Sequence, residues 1–228
     1  RLTHQPLSFS VSETTEGVHI HIIDAELMGK GEKEKKDLYI EGVQNNGIIN
    51  HYEYIINSEG TIEIRHVLKP EGKMPLWFPR IGLTLTVSDA LDQVKWYGRG
   101  PQENYPDRKT GYPTGIYAST VQAMYEPYLM PQDYGLRTDV RWLQLTTDKG
   151  IGLQFKMNEW FNFNIYPYST DNLTKAMYTY QLQKQKGMTL NLDYATTGVG
   201  CTARGVFGAY KAMPQEYRRT ISIRPMMK

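Results

Sequence analysis

Three observations predict an all-β chain of mainly antiparallel strands. Apolar and polar residues alternate with period two over several short runs. Turn residues recur between those runs, and helical spacing is confined to brief stretches, so one or two short helices are expected. Leu7, Phe9 and Val11 alternate with Ser8, Ser10 and Ser12, and Val18, Ile20 and Ile22 alternate with His19 and His21. Ile48 to Ile56 and Thr61 to Leu68 flank Asn57-Ser58-Glu59-Gly60, a hairpin signal closed by glycine. Period two then puts Ile62, Ile64, His66 and Leu68 on one face, with Glu63, Arg65 and Val67 opposite.

Pro70 to Pro79 holds three prolines around Trp77 and Phe78 and reads as a connector, after which Gly82 to Val87 resumes alternation. Asp89 to Asp92 forms a turn before a strand ending at Val94, Trp96 and Tyr97. Val121, Met124, Tyr125 and Tyr128 fit one or two helical turns, which Pro127 and Pro131 end. Val140 to Leu145, Gly152 to Met157 and Phe161 to Ile165 read as three strands. Thr170 to Leu182 has helical spacing at Leu173, Ala176, Met177 and Tyr180; Met188 to Tyr194 alternates again; Thr220 to Arg224 is a last strand stopped by Pro225.

At 228 residues and 40% hydrophobic content, a folded chain buries roughly 70% of its unfolded surface, enough for one substantial core, so a single domain over residues 1–228 is expected. The net charge is +2 with scattered Lys and Arg, which argues against a nucleic-acid footprint. The mixed-sign run Lys30 to Asp37 reads as a solvated hairpin tip. No apolar run approaches the ~20 residues of a membrane span. One cysteine, Cys201, excludes an internal disulfide and leaves the compartment open between cytoplasm and periplasm. The chain begins at Arg1 without Met and is expected to be cut from something longer.

Most familiar chemistries lack their residues. His19 and His21 share a strand face, but no third ligand follows at finger-like spacing, so no metal site is assigned. Cys201 has no nearby His, and no Gly-x-Ser-x-Gly elbow occurs. Gly98-Arg99-Gly100 lacks the third glycine of a dinucleotide fingerprint, and Gly200 to Gly205 lacks the lysine of a P-loop. Aromatic residues make up 12% of the chain, with 17 Tyr and 4 Trp. The strand-like surroundings of Trp77, Trp96, Trp142 and Trp160 place them in the core ahead of any sugar platform.

The densest polar stretch is Trp96 to Arg108, WYGRGPQENYPDR, a shaped loop after a strand. Its Arg99, Glu103, Asp107 and Arg108 either pair with one another and with loop backbone or contact a ligand. This stretch and Thr114 to Leu145 resemble the C-terminal β-sandwich, the small-chain region, of family-two β-galactosidases. The resemblance rests on Gly98, Gly100, Pro101, Glu103, Asn104, Tyr105, Asp107 and Arg108, followed by Tyr128, Pro131, Gln132, Asp133, Gly135, Thr138 and Arg141.

The resemblance implies a large antiparallel supersandwich of the galactose-mutarotase-like type, a C-terminal fragment whose first strands are missing. It implies a parent that hydrolyses terminal β-D-galactosyl residues by a retaining mechanism, and this segment packs on the parent's catalytic barrel. The paired carboxyl groups of that chemistry, about 5 to 9.5 Å apart, would lie on the barrel, leaving none here. It further implies Mg and Na held mostly elsewhere in the parent, no cofactor in this segment, and a homo-oligomeric parent. Arg99, Glu103, Asn104, Tyr105, Asp107, Arg108 and Arg141 are then structural or domain-interface residues. The family's loop Gly-x-Gly-Gly-Asp-x-Ser-Trp-Gly matches Gly198 onward, where Gly205 stands at the Trp position. Arg204, Gly205 and Phe207 are the substrate-rim candidates. Aldose mutarotase-like activity, or a non-catalytic carbohydrate-binding role, is the alternative.

Overall fold

The computed structural model describes residues 2–28, 46–201 and 205–227. The run Lys30 to Asp37 and the rim candidate Arg204 lie outside the described residues. Eleven strands are found among the described residues, they cluster into two compact units, and the pairings within each unit are antiparallel.

The first unit takes in residues 1–78 and 213–223. Here β1 (Leu2–Thr14), β2 (Gly17–Met28), β3 (Gly47–Ile56) and β4 (Ile62–Glu71) form a meander, and β11 (Tyr217–Met226) pairs with β4 over Tyr217 to Ile223. The expected hairpin is present. Asn57 accepts from the Glu59 and Thr61 amides through its side chain, and Gly60 takes φ +76°, a backbone region glycine enters without steric cost. Ile64, His66 and Leu68 are buried and Arg65 is exposed, as period two requires. The strand β11 runs past Pro225 instead of ending at it. Its pairing with β4 stops at Ile223, so the missing proline amide is not needed by that ladder.

The second unit takes in residues 79–212 and 224–228. Its strand order is β7-β6-β8-β9-β10-β5, from β5 (Arg80–Val87), β6 (Gln93–Arg99), β7 (Thr114–Thr120), β8 (Arg137–Thr146), β9 (Gly152–Tyr166) and β10 (Met188–Thr196). Trp96, Val140, Leu143, Leu145, Phe155, Phe161, Phe163, Leu190 and Leu192 fill its core. The two strands expected at Gly152 to Met157 and Phe161 to Ile165 are one. Between the pairs Trp142 to Lys156 and Val140 to Phe161, β9 carries more residues than β8, so the chain bulges and stays in the sheet. The turn after β7 holds single hydrogen-bonded turns at Met124 and Tyr125, short of a helix. The helix α1 (Thr170–Lys175) is capped by Ser169, whose hydroxyl accepts from the Asn172 amide at 3.1 Å.

Candidate functional site

The site is built on the end of β6. Val94, Trp96 and Gly98 point inward while Lys95 and Tyr97 face out, so the strand delivers Trp96 into the core at 1% exposure. The indole N–H donates to the Arg99 carbonyl at 3.0 Å. Immediately beyond, a Cβ at Gly100 would lie 2.8 Å from the Tyr117 ring and 3.0 Å from that of Trp96, so only glycine lets the loop pass there.

The loop is stitched to the stretch that follows β7. Glu103 is buried, and both of its oxygens are engaged. Oε1 accepts from Arg108 at 2.5 Å and from the Tyr128 hydroxyl; Oε2 accepts from the Gly135 amide at 2.9 Å and from the Tyr105 hydroxyl at 3.3 Å. Four donors fill the four lone-pair directions of a carboxylate and leave none for a substrate. Burial, then the Glu103 charge, pushes the Tyr105 phenol well above its ordinary range. The Asn104 side-chain oxygen accepts from the Thr138 amide at 3.1 Å and hydroxyl at 2.5 Å, while its backbone N–H donates to the Leu136 carbonyl. Arg99 pairs with Asp139 at 2.5 Å, and Lys109 reaches the same carboxylate at 2.8 Å. Burial pushes Asp139 upward, but hydrogen bonds from Lys109 and Arg99 outweigh it and hold the carboxyl below its ordinary value.

Asp107 points the other way, into the glycine-rich loop after β10. Its carboxylate accepts from the amides of Val199 at 3.0 Å and Gly200 at 2.7 Å. Successive amides aimed at one anion, with Gly200 at φ +66°, form an anion nest, here filled by a residue of the same chain. A Cβ at Gly198 would fall 2.3 Å from the Asp107 carboxyl carbon. Around this contact lies a cleft of about 370 Å³ lined by Asp107, Gly200, Cys201, Gly205, Val206, Phe207 and Tyr210. Phe207 is 64% exposed. Asp107 is the one carboxylate among these lining residues, and it is committed to backbone amides.

A family model described as beta galactosidase small chain matches residues 8–223. The chain belongs to the β-galactosidase small-chain family. Among curated relatives, the chain is similar to the beta-galactosidase of Priestia megaterium, 38% identical over 147 residues, covering 64% of this chain and 14% of the relative. It is also similar to that of Vibrio cholerae, 39% identical over 122 residues, covering 54% of this chain and 11% of the relative. The matched part is thus a small fraction of either relative's length. Of the solved structures, a GalM/aldose epimerase homologue from C. elegans aligns with a TM-score of 0.45 and 12% identity, covering 96% of this chain and 69% of that one.

Within this small-chain family member, the expected site residues divide into four groups, of which Arg99 on Asp139 is the first. Glu103, Asn104, Tyr105 and Arg108 close on the second motif, and Asp107 meets Gly205 and Phe207 at the cleft. Arg141 goes elsewhere. Its guanidinium stacks 4.0 Å over Trp160 and 5.1 Å from the Tyr97 ring centre, and it donates to the Asp139 carbonyl. Trp160 is 60% exposed and Trp77 38%, and Trp142 is half-buried, so the core placement expected of the four tryptophans holds for Trp96 alone. The β9 bulge turns Trp160 outward.

A second polar cluster was not anticipated. β10 is buried on both faces, so its alternating polar residues Thr189, Asn191 and Asp193 are buried too. Arg80 on β5 reaches Asp193 at 3.1 Å and Asp133 at 3.3 Å, and the Asn164 amide and Tyr166 hydroxyl also donate to Asp133. Two carboxylates share one guanidinium. Burial pushes the enclosed Asp193 up, against the pull of Arg80, to about 7. The signal was available in the polar alternation of β10, but its partners come from distant stretches.

Proposed function

We propose that this chain is a non-catalytic sandwich of a β-galactosidase. Hydrolysis of terminal β-D-galactosyl residues, with retention, is carried out by a catalytic barrel elsewhere in the polypeptide. The sandwich packs on that barrel and lends the Asp107, Gly205 and Phe207 cleft to the rim of its sugar pocket. The tie between Asp107 and the amides of Val199 and Gly200 carries the reading, because it seats the glycine-rich loop against the motif loop. The saturated bonding of Glu103 supports the absence of acid–base work in this loop, since a general acid needs a free path to its substrate. An exposed Phe207 ring beside the cleft suits the apolar face of a sugar.

The test has two arms. The chain alone is expected to leave a chromogenic β-galactoside intact while the whole polypeptide cleaves it; turnover by the chain alone would overturn the reading. In the whole polypeptide, Phe207→Ala is expected to raise KM about fivefold with kcat little changed, the loss of a stacking contact worth roughly 1 kcal/mol. An unchanged KM removes the cleft from the sugar pocket.

A further inference from the structure

His19 and His21 stand two residues apart on β2, so both imidazoles occupy one face of the first unit's sheet. The sequence provides no neighbouring third ligand; the adjacent strand does. In the β2–β3 register His21 sits opposite Glu53 and His19 opposite Ile55, which puts one carboxylate between two imidazoles. Glu53 Oε1 lies 3.5 Å from His19 Nδ1 and 4.0 Å from His21 Nε2, and one ligating atom of each residue falls within 4.8 Å of the others. Two ligands bound at about 2.1 Å to a tetrahedral ion are roughly 3.4 Å apart. The first separation already has that value, and small side-chain rotations close the rest.

The surroundings favour a cation at this point. Glu53 Oε2 is held by Arg65 at 3.1 Å, and Arg65 is held in turn by Glu63 at 2.8 Å. Outer partners of this kind orient a ligating carboxylate and leave its other oxygen available. The His19 side chain is only 13% exposed, and its Nε2 is buried with no hydrogen-bond partner among the described residues. With the ring proton on Nε2, the Nδ1 lone pair and the Glu53 carboxylate face each other at 3.5 Å with no proton between them. A cation between them satisfies both. His21 is half exposed, which gives an entry path and room for a water ligand.

We propose that His19, His21 and Glu53 form a binding site for a divalent transition metal of the zinc class, with water in the fourth position. Nitrogen and carboxylate donors of this number suit zinc and cobalt over magnesium or calcium, which take oxygen ligands. The experiment is calorimetric titration of the untagged full chain with Zn2+, paralleled by the visible spectrum of added Co2+. One equivalent of Zn2+ is expected, with an intense tetrahedral-type cobalt band. His21→Ala and Glu53→Gln should each weaken Zn2+ by roughly tenfold or more and abolish the band. His4→Gln, on the opposite sheet face, should change neither. Circular dichroism of the variants separates lost binding from lost fold, and a misfolded Glu53→Gln is replaced by His19→Gln. No stoichiometric Zn2+ on the wild-type chain, or binding that survives in folded His21→Ala, overturns the proposal.

Discussion

His66 shows how one residue sets a pH response. It is buried on β4, stacked on Tyr52 with ring centres 4.1 Å apart, and bonded to Asn50 Oδ1 at 3.1 Å; Asn50 in turn donates to Asp24 at 2.8 Å. Burial lowers its pKa from 6.5 to about 4, with the Asp24 charge opposing and His51 assisting. A depressed base contributes stability that is full above pH 6.5 and lost as pH falls through 4. The shift corresponds to about 3 kcal/mol. His4 moves the opposite way, raised by its bond to Asp24, but it lies in solvent and counts for little. Asp193, raised to about 7, acts in the opposite sense as pH falls, so the His66 contribution is read as the difference in urea-unfolding stability between the chain and His66→Phe. His66→Phe should be less stable at pH 7, because Asn50 loses a partner, and the gap should narrow as pH falls from 6.5 to 4. A gap that stays constant across that window would assign the titration to another group. The sequence placed His66 on one strand face with Ile62, Ile64 and Leu68; it held no sign of Asn50 and Asp24, which come from other strands.

Among the elements, the alternating strands were legible and the places where alternation breaks were not. The hairpin at Asn57 to Gly60 follows from its own residues. The bulge in β9 imitates a strand break, because register against β8 is a property of two strands and not of one. The motif loop presents the same limit. Glu103 and Asn104 stand out as a dense polar stretch, but their partners Gly135 and Thr138 belong to the next motif, and only folding shows the two as one interlocked body. The joint between this loop and the one after β10 can be tested through Gly198. Gly198→Ala forces a methyl group onto the Asp107 carboxyl, and overpacking of this kind costs about 1–3 kcal/mol. Its urea midpoint should drop accordingly, and Asp107→Gly in the same background should recover part of the loss. An unaltered midpoint would mean that the joint bears no strain.

For the whole molecule, the sequence carried the fold class and the family, since both rest on patterns local to the chain. How far each strand runs and which polar groups meet inside were set by pairing. One expectation at this scale awaits a solution measurement. Among the described residues β1 pairs with β2 alone, and its outward side chains include Phe9 at 68% and Val11 at 54% exposure. An open strand edge with apolar side chains invites a second copy. Sedimentation velocity of the chain should show a coefficient that rises with concentration, and Val11→Lys should suppress the rise. A constant value in the unmodified chain would retire the expectation.

The amides of Val199 and Gly200 have a further consequence. Elsewhere such a cradle waits for phosphate or sulfate; in this chain a tethered carboxylate has taken the seat. Free anions in the buffer should find no vacancy there, and if the cleft borders a sugar pocket, the arm from Gly198 to Gly200 should keep its form with or without a guest. Differences between guests would then be read by the faces that Phe207 and Tyr210 present, and not by how far the arm must travel to greet them.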